Sequence, residues 1–138
     1  MDVILVPGLW LDASAWDSVA EELRRLGHQP HAVRLPGAGD DDANATLDMQ
    51  LDAVLATIDA STSPLVVGHS AASTLAWLAA DRRADVLHGV ALGGGFPSGD
   101  GAVYADFFPV VDAVKAFPGW EPFEGPDAAD LASAQREA

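Results

Sequence analysis

Ser70 lies in the stretch Gly68-His69-Ser70-Ala71-Ala72. A glycine two positions before a serine and a small residue two positions after it is the spacing of a G-x-S-x-G turn, which lifts a hydroxyl out of a sheet. The chemistry such a turn serves is acyl transfer. A hydroxyl attacks a carbonyl carbon, and backbone N–H groups stabilise the oxyanion that forms. The neighbours must be small because the serine backbone is strained and bulk would crowd the turn. Gly68 meets the first requirement, and Ala72 stands one methyl larger where the second glycine would be. The turn also points the Ala71 N–H, at the start of a helix, toward the same spot. A βα turn with a capping serine is the alternative, so the surrounding elements must decide.

Pro64-Leu65-Val66-Val67 reads as a short buried strand leading into this turn, and Leu75, Leu78 and Ala79 continue it at helical spacing. The rest of the chain repeats that alternation. Asp2-Val3-Ile4-Leu5-Val6 is a near-continuous apolar run, as expected of a strand buried on both faces, and Pro7-Gly8 ends it. Asp12-Ala13-Ser14 offers helix caps. Trp16, Val19, Leu23 and Leu26 then predict one helical face, stopped by Gly27. His31–Leu35 predicts a second strand. Thr46 is a cap for a helix whose face is Leu47, Leu51, Val54, Leu55 and Ile58. Val86–Leu92 predicts a fourth strand, ended by Gly93-Gly94-Gly95. Strands alternating with helices imply a parallel sheet covered by helices, hence an α/β fold. After residue 97 the alternation stops. Seven of the ten aromatic residues lie between Phe96 and Phe123, which marks this stretch as packed rather than a solvated linker.

Composition excludes several function classes. With 138 residues, 49% of them hydrophobic, the chain supports one modest core. A net charge of −14 argues against nucleic acid or an anionic membrane as a partner. No apolar run reaches the ~18–20 residues of a membrane span. The N-terminus lacks the basic start of a secretory signal, and the chain has no cysteine. Together these point to a cytoplasmic protein. Asp40, Asp42 and Asn44 imitate the start of a calcium loop, but Ala45 and Leu51 stand where it needs glycine and glutamate. Gly37-Ala38-Gly39 follows the second strand and lacks the third glycine of a dinucleotide fingerprint. No metal and no cofactor is expected.

Four stretches in order carry a resemblance: Val3-Ile4-Leu5-Val6-Pro7-Gly8-Leu9-Trp10, Ala15-Trp16-Asp17, Leu35-Pro36-Gly37-Ala38-Gly39 and Gly68-His69-Ser70-Ala71-Ala72. The pattern resembles the α/β-hydrolase superfamily, and within it the small esterases that include plant methylesterases and hydroxynitrile lyases. The resemblance covers about residues 2–97. It implies a three-layer α/β-hydrolase-like parallel sheet with strand order second, first, third, fourth. About four core strands would be present, followed by the start of a lid, so the fold would be incomplete. Residues 1–97 would be the N-terminal part of the core and residues 98–138 the start of a lid or cap. The implied activity is that of a serine hydrolase, carboxylesterase-like, acting on a small, largely apolar ester through an acyl-enzyme. Ser70 would be the nucleophile. The oxyanion donors would be the backbone N–H groups of Ala71 and of Leu9, with Trp10 as an alternative to Leu9. Trp10 and His69 would line the pocket. The loop reads Pro7-Gly8 where the family usually has His-Gly.

The family's chain order is Ser, then an acid, then His, and no histidine follows His88. His28, His31 and His88 are expected at the end of the sheet away from the turn, His28 and His31 as surface residues. Asp100 is the one candidate acid. The triad histidine is therefore absent from this sequence, and the chain reads as the N-terminal portion of a longer hydrolase. The alternatives are a non-catalytic fragment or small-ligand binder, and a lyase or cofactor-free oxygenase on the same fold. The fourth strand would expose an unpaired edge, which gives the expectation of self-association through it.

Overall fold

Side chains along β1 (Asp2–Val6) alternate between two apolar layers, and that alternation organises the molecule. The structure is a computed structural model, and it describes residues 1–38, 44–94, 101, 110 and 111. Its elements are β1, a 3₁₀ turn at Ala13–Trp16, α1 (Asp17–Arg25), β2 (Gln29–Ala32), α2 (Leu47–Asp59), β3 (Leu65–His69), a 3₁₀ turn at Ser70–Ala72, α3 (Ser73–Arg82) and β4 (Gly89–Gly93). The sheet is parallel throughout, in the order β2-β1-β3-β4, as the resemblance implies. Val3 and Leu5 pack with Ala20, Trp16, Leu23, Leu65 and Val67 on the α1 side. Ile4, Val6 and Val66 pack with α2 and α3 on the other, against Leu51, Val54, Ile58, Leu75 and Ala79. Full burial of each large side chain such as Ile4 or Leu75 contributes roughly 1.5–3 kcal/mol. Helices on both faces make this the three-layer α/β architecture, with four strands among the described residues.

The predicted caps are in place. Asp12 Oδ1 accepts from the Ser14 N–H at 2.7 Å, and Thr46 Oγ1 accepts from the Met49 N–H at 3.2 Å, opening α2. Three expected boundaries are corrected. Trp16 belongs to a 3₁₀ turn ahead of α1, so helical spacing does not run through it. Ala20 is buried instead, while Val19 and Leu26 are 43% and 57% exposed. The ladder of β2 spans Gln29–Ala32 rather than His31–Leu35. Val33 and Leu35 are buried but lie past it; the Val33 N–H still donates to the Leu5 carbonyl at 2.9 Å, and the chain then leaves the ladder while its apolar side chains stay in the core. Pro30 is tolerated because β2 is an edge strand. β4 begins at Gly89, and Val86, 42% exposed, lies in the preceding turn. No strand among the described residues pairs with the outer side of β4. The expected lid start at residues 98–138, the aromatic stretch and Asp100 lie outside the described residues, apart from Gly101, Val110 and Val111.

Candidate active site

Chain direction places the site. From β1 the chain moves outward to β2, then returns across the sheet to β3. The carboxyl ends of β1 and β3 therefore flank a switch point, where open α/β sheets form their crevice. Ser70 follows the end of β3 and Gly8 follows the end of β1.

Ser70 has φ +53°, in the left-handed region that costs a non-glycine residue about 1–3 kcal/mol. Its side chain is exposed. Three glycines explain how the chain holds this conformation. A Cβ on Gly68 would sit 2.6 Å from the Ala72 carbonyl oxygen and 2.9 Å from Ala76 Cβ, so α3 closes down directly on the strand end. A Cβ on Gly8 would lie 3.3 Å from Ser70 Cβ and 3.1 Å from the His69 carbonyl oxygen. A Cβ on Gly94 would lie 2.5 Å from Ser70 Cα and 2.9 Å from its backbone nitrogen. The elbow is thus pressed between the chain leaving β1 and the chain leaving β4. Ser73, fully buried, adds a bond from its Oγ to the Gly68 carbonyl at 3.3 Å. Ala72 is also fully buried and its methyl belongs to the core. That is why the larger residue fits where the motif usually carries glycine.

The loop after β1 forms a tight turn. The Leu11 N–H donates to the Gly8 carbonyl at 3.1 Å, and Trp10 has φ +66°. Leu9 and Trp10 are half-buried within it. Among the described residues no backbone carbonyl takes up the Leu9 N–H. Ala71 lies in the first turn after Ser70, where backbone N–H groups lack intrahelical acceptors. Leu9 and Ala71 therefore stand on the two segments that border the serine, as an oxyanion hole requires. Downstream, Asp12 anchors the same loop. Hydrogen bonds from Ser14 hold its carboxyl below the usual carboxylate range.

His88 precedes β4 and His28 follows α1, as expected. His31 does not open β2 but is its third residue, paired with Ile4, because the strand starts at Gln29. His31 is more than a surface residue: its Nε2 donates to Asp2 Oδ1 at 2.8 Å and it is partly buried. Its neighbour Asp2 opens β1 in register with Gln29, which brings the two side chains together. His69 adjoins Ser70 in sequence, but no hydrogen bond joins them among the described residues. Its ring turns toward Gly8 and Trp16. A cleft of about 820 Å³ lined by Asp12, Ser14, Asp17, Arg24 and Arg34 opens past the end of β2 and does not include Ser70. Reading the sequence missed Gly94 as part of the site. Its run of three glycines signals a turn, and only the strand order brings that turn against Ser70.

Comparison with known proteins agrees with this geometry. The solved structure of an extracellular α/β-hydrolase from a Paenibacillus species, described as sharing structural and functional homology with tobacco salicylic acid binding protein 2, matches with a TM-score of 0.69 and 25% identity. The match covers 96% of this chain and 53% of that one. Polyneuridine aldehyde esterase matches with a TM-score of 0.64 and 21% identity over 70% of this chain and 41% of its own. A pyrethroid hydrolase from Sphingobium faniae JZ-2 matches with 0.58 and 24% over 67% and 38%. The chain thus spans about half the length of the Paenibacillus enzyme and less of the others. A search of curated proteins found no match. Among the described residues, no helix is long and apolar enough to cross a membrane. The model of the alpha/beta hydrolase family matches residues 3–138, and the chain belongs to that family.

Proposed function

We propose that the chain carries the nucleophile and oxyanion hole of a serine hydrolase of the carboxylesterase type. Ser70 Oγ attacks the carbonyl carbon of a small, largely apolar ester, and the alcohol leaves as the acyl-enzyme forms. The N–H groups of Leu9 and Ala71 receive the developing oxyanion, and Trp10 lines the acyl side. The observation that carries this reading is the backbone of Ser70, at φ +53° and exposed between Gly8 and Gly94. A strained serine at the carboxyl end of a central strand has no structural task that an unstrained residue would not perform better. The Paenibacillus neighbour, a hydrolase, and polyneuridine aldehyde esterase support the reaction class. The lack of cysteine supports work in a reducing, cytoplasmic setting, which fractionation of cells expressing the chain tests.

Attack by a serine hydroxyl needs a base within hydrogen-bond reach. None of the described histidines is hydrogen-bonded to Ser70. The 138-residue chain is therefore expected to turn over esters slowly, with the ~10³–10⁴-fold advantage over water that an oxyanion hole and binding alone retain. In the longer protein that supplies this base, a fluorophosphonate probe should label Ser70, and Ser70→Ala should abolish labelling. Labelling at a different serine, or none at all, would leave the non-catalytic reading in its place. Ester turnover at rates typical of a working esterase, lost in Ser70→Ala, would show that a residue of this chain replaces the triad histidine.

A further inference from the structure

His69 occupies the middle position of the Gly68-His69-Ser70 turn. Alternation along β3 sends Gly68 to the α3 side and Leu65, Val67 and His69 to the α1 side. There the imidazole is gripped between two partners. Its Nδ1 would lie 2.8 Å from a Cβ on Gly8, so the ring rests on the backbone of the turn that carries Leu9. On its other side the Trp16 ring meets it edge-to-face, with centroids 6.2 Å apart and an interplanar angle of 88°. Trp16 is itself fixed by the Val3, Leu5 and Ala20 layer. Its Nε1 is buried with no hydrogen-bond partner among the described residues, so packing, not a polar bond, sets its position. The same Gly8 is the residue whose added Cβ would lie 3.3 Å from Ser70 Cβ.

We propose that His69 is a positioning residue: braced by Trp16, its ring sets the height of the Gly8–Leu11 turn beside Ser70 and so aims the Leu9 N–H at the oxyanion. The inference rests on Ser70 being the nucleophile. It assigns His69 a packing role and no proton transfer, which explains why a ring so near Ser70 in sequence turns away from it. Shape is what matters here, so another flat ring of similar size should serve and a small residue should not.

The test compares His69→Ala with His69→Phe in the longer protein that supplies the base. Two readouts are used: the rate of fluorophosphonate labelling at Ser70, and hydrogen exchange of the Leu11 amide, which the Gly8 carbonyl protects at 3.1 Å. His69→Ala should slow labelling on the order of 10²-fold, the usual effect of a group displaced by about 1 Å, and speed Leu11 exchange. His69→Phe keeps a flat ring with one more ring atom and should restore labelling to within about tenfold, the remainder reflecting modest overpacking, and restore Leu11 protection. Equal loss in both variants, with Leu11 protection unchanged, would mean that the imidazole nitrogens act chemically and would overturn the proposal. Wild-type labelling in both would overturn it too. If Ser70 is not labelled in any form, the hydrolase reading fails on its own. Leu11 exchange then judges the brace: faster in Ala and restored in Phe upholds it, and no change in either variant refutes it.

Discussion

The two ends of this sheet are held together by opposite means. At the carboxyl ends, Gly8, Gly68 and Gly94 bring backbones together by having no side chain, at distances where a single added carbon collides. At the amino ends, polar groups tie the strands. Asp2 accepts from His31 Nε2 at 2.8 Å and from the Thr62 N–H at 3.1 Å, and the His88 N–H donates to the Pro64 carbonyl at 2.8 Å. The first kind of contact responds to added atoms and is indifferent to pH. The second, where the Asp2 carboxylate is the acceptor, responds to protons. Sites that need fixed geometry sit at the first kind of end, since close packing leaves a single arrangement.

That contrast can be broken by substitution. The largest effect is expected for Gly94→Ala and Gly68→Ala, where the new Cβ meets backbone atoms at 2.5 and 2.6 Å. Each should lose about 3 kcal/mol or more, beyond ordinary overpacking because backbone must move. Urea melts give the stability, and labelling of Ser70 should be lost even where a fold survives. Wild-type melts for both would show that the elbow is not held by close approach. Next comes Gly8→Ala, whose new Cβ first meets a side-chain atom, His69 Nδ1 at 2.8 Å. It should cost about 1–3 kcal/mol. Combining it with His69→Ala should recover part of that, giving a coupling of roughly 0.5–3 kcal/mol. A strictly additive double variant would place the collision elsewhere.

A smaller change is expected at Ala72, where substitution removes an atom rather than adding one. Ala72→Gly restores the usual motif residue but deletes a fully buried methyl. The loss should be about 1–2 kcal/mol, from one methyl's worth of burial and a poorer helix former at the head of α3. A gain in stability would mean that the methyl strains the turn.

The smallest effect is expected at the amino ends and is read through pH. Asp2 has its pKa lowered, first by the hydrogen bond to His31 and then by the Thr62 N–H. Its contribution is complete above the unfolded aspartate value of about 3.9. It is lost as pH falls through the lower folded value, because the unfolded chain binds the proton more readily. Asp2→Asn should therefore flatten part of the acid limb of a stability–pH curve and leave Ser70 labelling at neutral pH unchanged. An unchanged acid limb would show that the pair contributes nothing. Asp59 beside Arg83 and Glu22 beside Arg25 are lowered in the same way, so the limb should not vanish entirely.

The contrast also explains what the sequence made legible. Apolar runs and caps located β1, β3, α2 and α3, because burial and N-capping leave local marks such as Thr46 ahead of Leu47–Asp59. The elbow was legible for the same reason, since its constraint spans only Gly68 to Ala72. Edge-strand limits were not. Val33 and Leu35 are buried past the end of the β2 ladder, to which only the Val33 N–H adds a bond, to the Leu5 carbonyl at 2.9 Å, and exposed Val86 lies in a turn. Gly94 escaped because its constraint is imposed by Ser70, in the turn after a different strand. The brace of His69 on Gly8 escaped likewise, since it depends on two strands lying side by side.

Gly94 also gives the elbow an order of assembly. During synthesis Gly8 emerges first and Ser70 later, but Ser70 is not closed in on both sides until Gly94 has followed. At about 5–20 residues per second the interval lasts on the order of seconds, far longer than a helix such as α3 needs to form. Through that interval the elbow is a half-clamped turn. The clamp on Ser70 is therefore complete only once the segment after β4 has docked, and the nucleophile turn depends on the last strand of the sheet as well as on its own.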